Sequence, residues 1–291
     1  MPTDADSQLG ATLAGLDALE LMAGPGEHPF RRAWRTTWPK IAAIVLALAA
    51  WQFVIWLEWK PKFALAPPGE AFEDFREMAG DGTLWRATRI TLWRAAQGFA
   101  VSIVLGVVIG SVVSRFRPVR AAVGSLITGL QTMPSVAWVP FAIVIFRRDY
   151  EAAIMFVMVL GATPSIANGL ISGADHIPPI LLRAGRVLGA EGLSAYRHII
   201  LPAALPAFVG GVKQGWAFLW RSLMAAELIA VVPGKESIGF LLQVNRELAN
   251  SSGLIATMIV ILVIGIVVDS VVFGTLDRAI RSRWGLLDPA G

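Results

Sequence analysis

Cysteine is absent, and histidine is confined to His28, His176 and His198. The first absence excludes disulfides, thiolate metal sites and thiol nucleophiles. The second leaves too few scattered imidazoles for a metal cluster. Charge is scarce as well, at 16% of 291 residues, where a soluble domain carries about a quarter. In its place stand 55% hydrophobic residues, 11 of them Trp, and a mean hydropathy of +0.62. Lipid is the solvent such a chain expects. The net charge of +4 fits anchoring at a cytoplasmic membrane face better than a nucleic-acid partner. Asp4, Asp6, Asp17, Glu20 and Glu27 argue against an export signal at the start, which would begin basic and apolar. Leu9, Leu13, Leu16 and Leu21 fit one stripe of a short surface helix, and a frayed tail fits them equally.

Crossing the hydrocarbon core takes about 20 mostly apolar residues. Six runs qualify, at 38–57, 95–114, 119–146, 152–171, 204–231 and 253–276. An even number puts both termini on one side. Arg31, Arg32, Arg35 and Lys40 precede the first run, and Arg115, Arg117 and Arg120 fill a short second loop. By the positive-inside rule, that side is cytoplasmic. The expected organisation is a tail over 1–37, a first span over 38–57, and an outer connection with a lead-in helix over 58–94. A five-helix core over 95–276 holds a cytoplasmic loop at 172–203, and a tail covers 277–291.

Two spans carry breakers. Pro134 and Ser135, followed by Trp138 and Pro140, interrupt the third, and Thr163-Pro164 marks the fourth. A proline frees a carbonyl four residues back, which in lipid needs another partner or a wet cavity. Such breaks therefore line a path or are satisfied by neighbouring helices. Charges inside the spans pose the same alternatives. Lys213 and Arg221 lie about 12 Å apart on one face of the fifth span, near Trp216 and Trp220. A basic face favours an anionic cargo. Pairing is the competing reading, with Asp269 facing Lys213 and Arg94 facing Glu227.

In the loop, Leu181, Ala184 and Leu188 share a helical face, with Arg183 and Arg186 off it. Gly189 suits a helix end that needs positive φ. A second short helix through Leu193 and Tyr196 is expected to end at Pro202 and Pro206. Two short helices at an angle make a knob fit for a partner's groove.

Gly189, nine residues, then Ile199-x-Leu201-Pro202 resembles the cytoplasmic coupling loop of ABC importer permeases. The resemblance runs from about Leu65 to Trp284 and favours the nitrate, sulfonate, taurine and bicarbonate group. Leu65-Ala66-Pro67-Pro68, the Pro134–Pro140 break, Leu201–Pro206 and Ala225-Ala226-Glu227 carry it. The resemblance implies an all-α integral membrane fold of six transmembrane helices, the type I ABC importer permease (MetI-like) fold. It implies four partners besides the bilayer: two ATP-binding cassette ATPase subunits, an extracytoplasmic substrate-binding protein and a second permease copy. It places the chain in a bacterial inner membrane with no cofactor, metal or catalytic residue of its own. One departure stands out, since Arg183 replaces the motif's leading Glu, with Ala184 and Gly185 following. Gly234-Lys235 is followed by Glu236 where a phosphate-binding loop needs Ser or Thr, so nucleotide chemistry belongs on another chain.

Three function classes follow. The first is an importer permease for a small anion, or for a neutral or cationic vitamin precursor. An ion-coupled transporter working alone would need paired acidic residues in internal repeats, and only Glu227 and Asp269 are available. A membrane enzyme would need an acid–base cluster at one depth, and none appears.

Overall fold

The computed structural model describes residues 29–59, 61 and 64–283. The tail stripe of Leu9 to Leu21 lies outside the described residues. The chain forms two contact units, Met1–Trp59 and Lys60–Gly291. The first holds one helix, α1 (Pro29–Trp56), whose apolar stretch Thr37–Trp56 is long enough to cross a bilayer. Pro39 sits inside it near the start.

Every described element of the second unit is helical. Its order is α2 (Pro68–Gly80), α3 (Thr83–Arg115), α4 (Arg117–Thr132), a 3₁₀ turn (Ser135–Ala137), α5 (Trp138–Phe146) and α6 (Tyr150–Asp175). Then come α7 (Pro179–Val187), α8 (Gly192–Ala195), a π segment (Tyr196–Ile200) and α9 (Leu201–Ile229). The chain closes with α10 (Ile238–Glu247), α11 (Ser251–Val267), a second π segment (Val268–Phe273) and α12 (Gly274–Arg283).

Helix α6 is the hub, with α3 and α9 packed along it. Small residues set the distance. A Cβ placed on Gly169 would lie 2.6 Å from the Gly211 Cα, so the α6 and α9 backbones touch. Gly106 and Gly110 of α3 meet Ile166 and Ala167 of α6 in the same way. Close backbone approach is how helices gain dispersion energy in lipid, where hydrophobicity gives no drive. Ile154, Met158, Ile166, Leu219 and Leu223 fill the remaining space and are fully buried.

Among the described residues, four helices qualify as spans by length and hydropathy, and five when Pro118–Thr132 and Ser135–Phe146 count as one bent span. That pair turns through 96° at Met133-Pro134, where the sequence places a break. The remaining expected span, α9, has 29 residues, about 43 Å at helical rise. Its Lys213, Gln214, Arg221 and Glu227 dilute its hydropathy, and its length still suffices. Pro164 does not interrupt α6, which continues through it as one 26-residue helix.

Candidate functional site: a knob, an open polar stripe and a buried charge network

The knob forms around one helix end. Leu188 caps α7, and Gly189 follows with φ +77°. The Ala190 N–H donates to Gly185 O at 2.8 Å and the Gly189 N–H to Arg186 O at 3.0 Å. This paired closure satisfies the last carbonyls of α7 and requires a left-handed residue where glycine stands. Gly185 is buried, and a Cβ built on it would lie 1.9 Å from Ile199 Cδ1. Gly185 is thus the seat for Ile199, which locks α7 against the π segment. Tyr196 ties the other side down, its hydroxyl 3.0 Å from Ser114 Oγ at the end of α3. Outward, the knob shows Leu181, Val187 and Leu188, the last two 87% and 85% exposed. Arg183, Ala184, Arg186 and Arg197 are exposed beside them. Leu193 lies in α8, and its side chain is outside the described residues.

The expected stop at Pro202 does not occur. Instead the π segment hands over to α9, with Leu201 N–H donating to Tyr196 O, and Pro202 sits in the first turn of α9. A proline ring clashes with the carbonyl four residues back, here His198, and a widened turn relieves that clash. Pro202 is therefore absorbed, and the second half of the knob, α8 and the π segment, continues into the span as one helix. Pro206 also lies inside α9.

Along α9, Ala207, Gly210, Gln214, Ala217 and Arg221 are exposed at alternating steps of three and four, which is one helical face. Among its described residues the only large exposed hydrophobic group is Ile229, at the far end. By contrast α3 shows Val101, Val104 and Val108, and α11 shows Met258, Leu262 and Ile266. Those apolar faces suit lipid, while the α9 face suits water or a partner. Arg221 lies on it, its Nε donating to Ala217 O at 3.0 Å and its guanidinium 4.7 Å over the Phe218 ring. Lys213 lies beside it, with Nζ 3.2 Å from Asp269 Oδ1. Asn168 is exposed within an otherwise buried run of α6; its polar break in an apolar stretch was the signal available. At the bend, Pro134 is exposed and Ser135 and Trp138 are half-buried, and Gln131 Nε2 donates to Ser165 Oγ at 3.1 Å.

Trp216 and Trp220 do not join that face. They stack with centroids 6.0 Å apart, are 9% and 8% exposed, and pack with Phe99 and Phe273 in the core. One residue of helical rotation, about 100°, separates each from its exposed neighbour.

Glu227 is buried at the far end of α9. Arg94 Nη1 donates to its Oε1 at 2.7 Å, Thr91 Oγ1 to Oε2 at 3.0 Å and the Gly239 N–H to Oε2 at 3.2 Å. Arg94 also grips Glu151 through Nε at 2.9 Å and Nη2 at 2.6 Å, and Lys235 reaches Glu151 at 2.8 Å. Two cations and two anions thus close a neutral network across α3, α6, α9 and the segment before α10. Its donors and acceptors are satisfied, as buried charges require. Glu151 lies in the first turn of α6, one residue before the span expected at 152–171, and Lys235 lies in the segment before α10.

Similarity to known proteins agrees with this architecture. The chain is 26% identical to the taurine transport system permease protein TauC of Escherichia coli over 254 residues, covering 83% of this chain and 90% of that protein. It is 30% identical to the bicarbonate transport system permease protein CmpB of Synechococcus elongatus over 188 residues, covering 65% and 66%. Its fold matches a subunit of the MetNI methionine ABC transporter, solved in inward-facing conformations, with TM-score 0.59 and 18% identity over 68% of this chain and 95% of that one. Residues 102–282 match the family of binding-protein-dependent transport system inner membrane components, a stretch spanning the knob, the stripe and the α6 hub. The chain belongs to that family, as an ABC-type transport permease of the inner membrane.

Proposed function

We propose that this chain is the translocating subunit of an ATP-driven importer. Two copies would face each other, two ATPase subunits would bind the knobs from the cytoplasm, and a substrate-binding protein would deliver cargo outside. The knob carries this reading. Its second half runs without a break into α9, and α7, which bears the exposed Leu181 to Leu188, is seated on that run through Ile199, so force on α7 reaches the stripe through one packed contact. Both termini are then cytoplasmic, in keeping with Arg31, Arg32, Arg35 and Lys40 before the first span.

A small anion is the favoured cargo. The stripe presents Arg221 with no carboxylate against it among the described residues, and two relatives are named for taurine and bicarbonate, which both bear an anionic group. A neutral or cationic cargo would leave Arg221 without a purpose on an open face. The path would run between the α9 stripes of the two copies, past the bend at Pro134, Ser135 and Trp138. ATP chemistry falls to the partners, and this chain makes and breaks no bonds.

The test is uptake by membrane vesicles holding the chain and its ATPase and supplied with the binding protein, with vanadate as inhibitor. ATP-dependent, vanadate-sensitive uptake is expected, and uptake unchanged by removal of the ATPase would refute the reading. Arg221→Ala is expected to reduce uptake about tenfold, the loss of a charge-assisted contact, with complex recovery unchanged. Full uptake by that variant would remove Arg221 from the path.

A further inference from the structure

The Arg94–Glu227 and Lys213–Asp269 pairs both lie within the spans, and they differ in kind. Arg94 and Glu227 are buried and saturated. The Lys213–Asp269 pair is open, with side chains 47% and 51% exposed, and it rests on one 3.2 Å contact. Lys213 has three donors and Asp269 two acceptor oxygens, so most of their capacity is unused by other described residues. Both lie at one depth. Lys213 is 12 residues into α9 from Leu201, and Asp269 is 11 residues before Ile280, the end of its span, or about 17 Å from that face for each. An ion pair half open to hydrocarbon at that depth is strongly disfavoured. Its neighbours on the face, Gly210, Gln214 and Ala217, are small or polar and fit an aqueous wall. Asp269 reaches Lys213 from the second π segment, Val268–Phe273, and single π turns inside α-helices frequently mark functional positions.

We infer that Lys213 and Asp269 form an anion-exchange station on the translocation path. Asp269 holds the Lys213 ammonium while the station is vacant, and the cargo's anionic group displaces that carboxylate as it passes. Arg221, two helical turns away on the same face, is the neighbouring station. This rests on the reading of the chain as an anion importer, and it adds Asp269 as the group that tunes residence. The pair keeps the path from trapping anions, because a cation with a resident competitor binds more weakly than a bare one.

Absence of cysteine makes a direct test available, since one introduced thiol is unique. Ala217 lies four residues from both Lys213 and Arg221, hence between them on the face. The full chain carrying Ala217→Cys, assembled in membrane vesicles, is labelled with 2-sulfonatoethyl methanethiosulfonate, its trimethylammonioethyl counterpart and a neutral hydrophilic analogue. The anionic-to-cationic rate ratio is expected to rise about threefold or more with Asp269→Asn and to fall comparably with Lys213→Gln, the size expected for one unit charge a few ångströms away in water. The neutral reagent, reacting at one rate throughout, shows that the fold is kept. A ratio indifferent to both substitutions overturns the inference, as does a thiol that no hydrophilic reagent reaches. Loss of the fold in both variants would make the pair a structural strut and overturn it too. A flat ratio alongside vanadate-sensitive uptake removes only the exchange station. A responsive ratio in a chain that binds no ATPase removes the importer reading instead.

Discussion

Gly185 and Gly189 lie four residues apart and do different work. Gly189 is needed for its positive φ and has open space where a side chain would go, so Gly189→Ala strains only the backbone, by about 1 kcal/mol. Gly185 is needed for its missing Cβ. Alanine there meets the flexible tip of Ile199 and is expected to be tolerated with a small shift. Gly185→Leu has no such escape and is expected to unseat Ile199 and abolish recovery of the ATPase with the permease, while the protein still inserts. Affinity purification of the tagged chain, scored for bound ATPase, checks this; undiminished recovery with Gly185→Leu would dissociate docking from the Ile199 seat. The Gly189 turn was legible in the sequence because positive φ is a local demand. The Gly185 seat was not, because it depends on a residue 14 positions on.

Among the elements, α3, α6 and α9 are bound at one end by the Arg94 network and along their lengths by glycine contacts. Arg94→Met strands the Glu227 carboxylate in the core, and removing one partner of a buried pair costs about 3–5 kcal/mol. A clear drop in the thermal unfolding midpoint of the detergent-solubilised protein is expected. Adding Glu227→Gln should restore much of it, because the neutral amide is easier to bury and Glu151 keeps Lys235. A double variant no more stable than Arg94→Met alone would refute that account. The pairing of Arg94 with Glu227 could be read from their shared depth. Glu151 and Lys235 escaped because one sits in the first turn of α6 and the other in the segment before α10, where sequence gives no registration between segments. The π segments escaped too, since no residue pattern marks a widened turn. Trp216 and Trp220 are near the cations in sequence yet one helical step off the exposed face, which the small residues at 207, 210 and 217 mark.

At the scale of the whole molecule, the second half of the knob and the polar stripe lie on one continuous helical run, from α8 through the π segment and α9, with α7 seated on it by Ile199. In the function proposed above, that continuity would link ATPase movement to the path, because a helix transmits displacement along its axis without a hinge to absorb it. The sequence pointed instead to a helix stop at Pro202, which would have separated the two. The same continuity predicts that a flexible break introduced between them uncouples the parts while preserving each. Replacing Ala203-Ala204 by Gly-Gly is expected to leave ATPase recovery intact and cut uptake severely.

The most direct test of the account is transport by the reconstituted assembly. Proteoliposomes holding the permease and its ATPase, supplied with the binding protein and radiolabelled taurine as a sulfonate-bearing probe, should accumulate label only with ATP and stop with vanadate. They should fail when Gly185→Leu is present. Accumulation that continues without the ATPase, or with that substitution, would contradict the central claim that the knob delivers the ATPase's work to this chain.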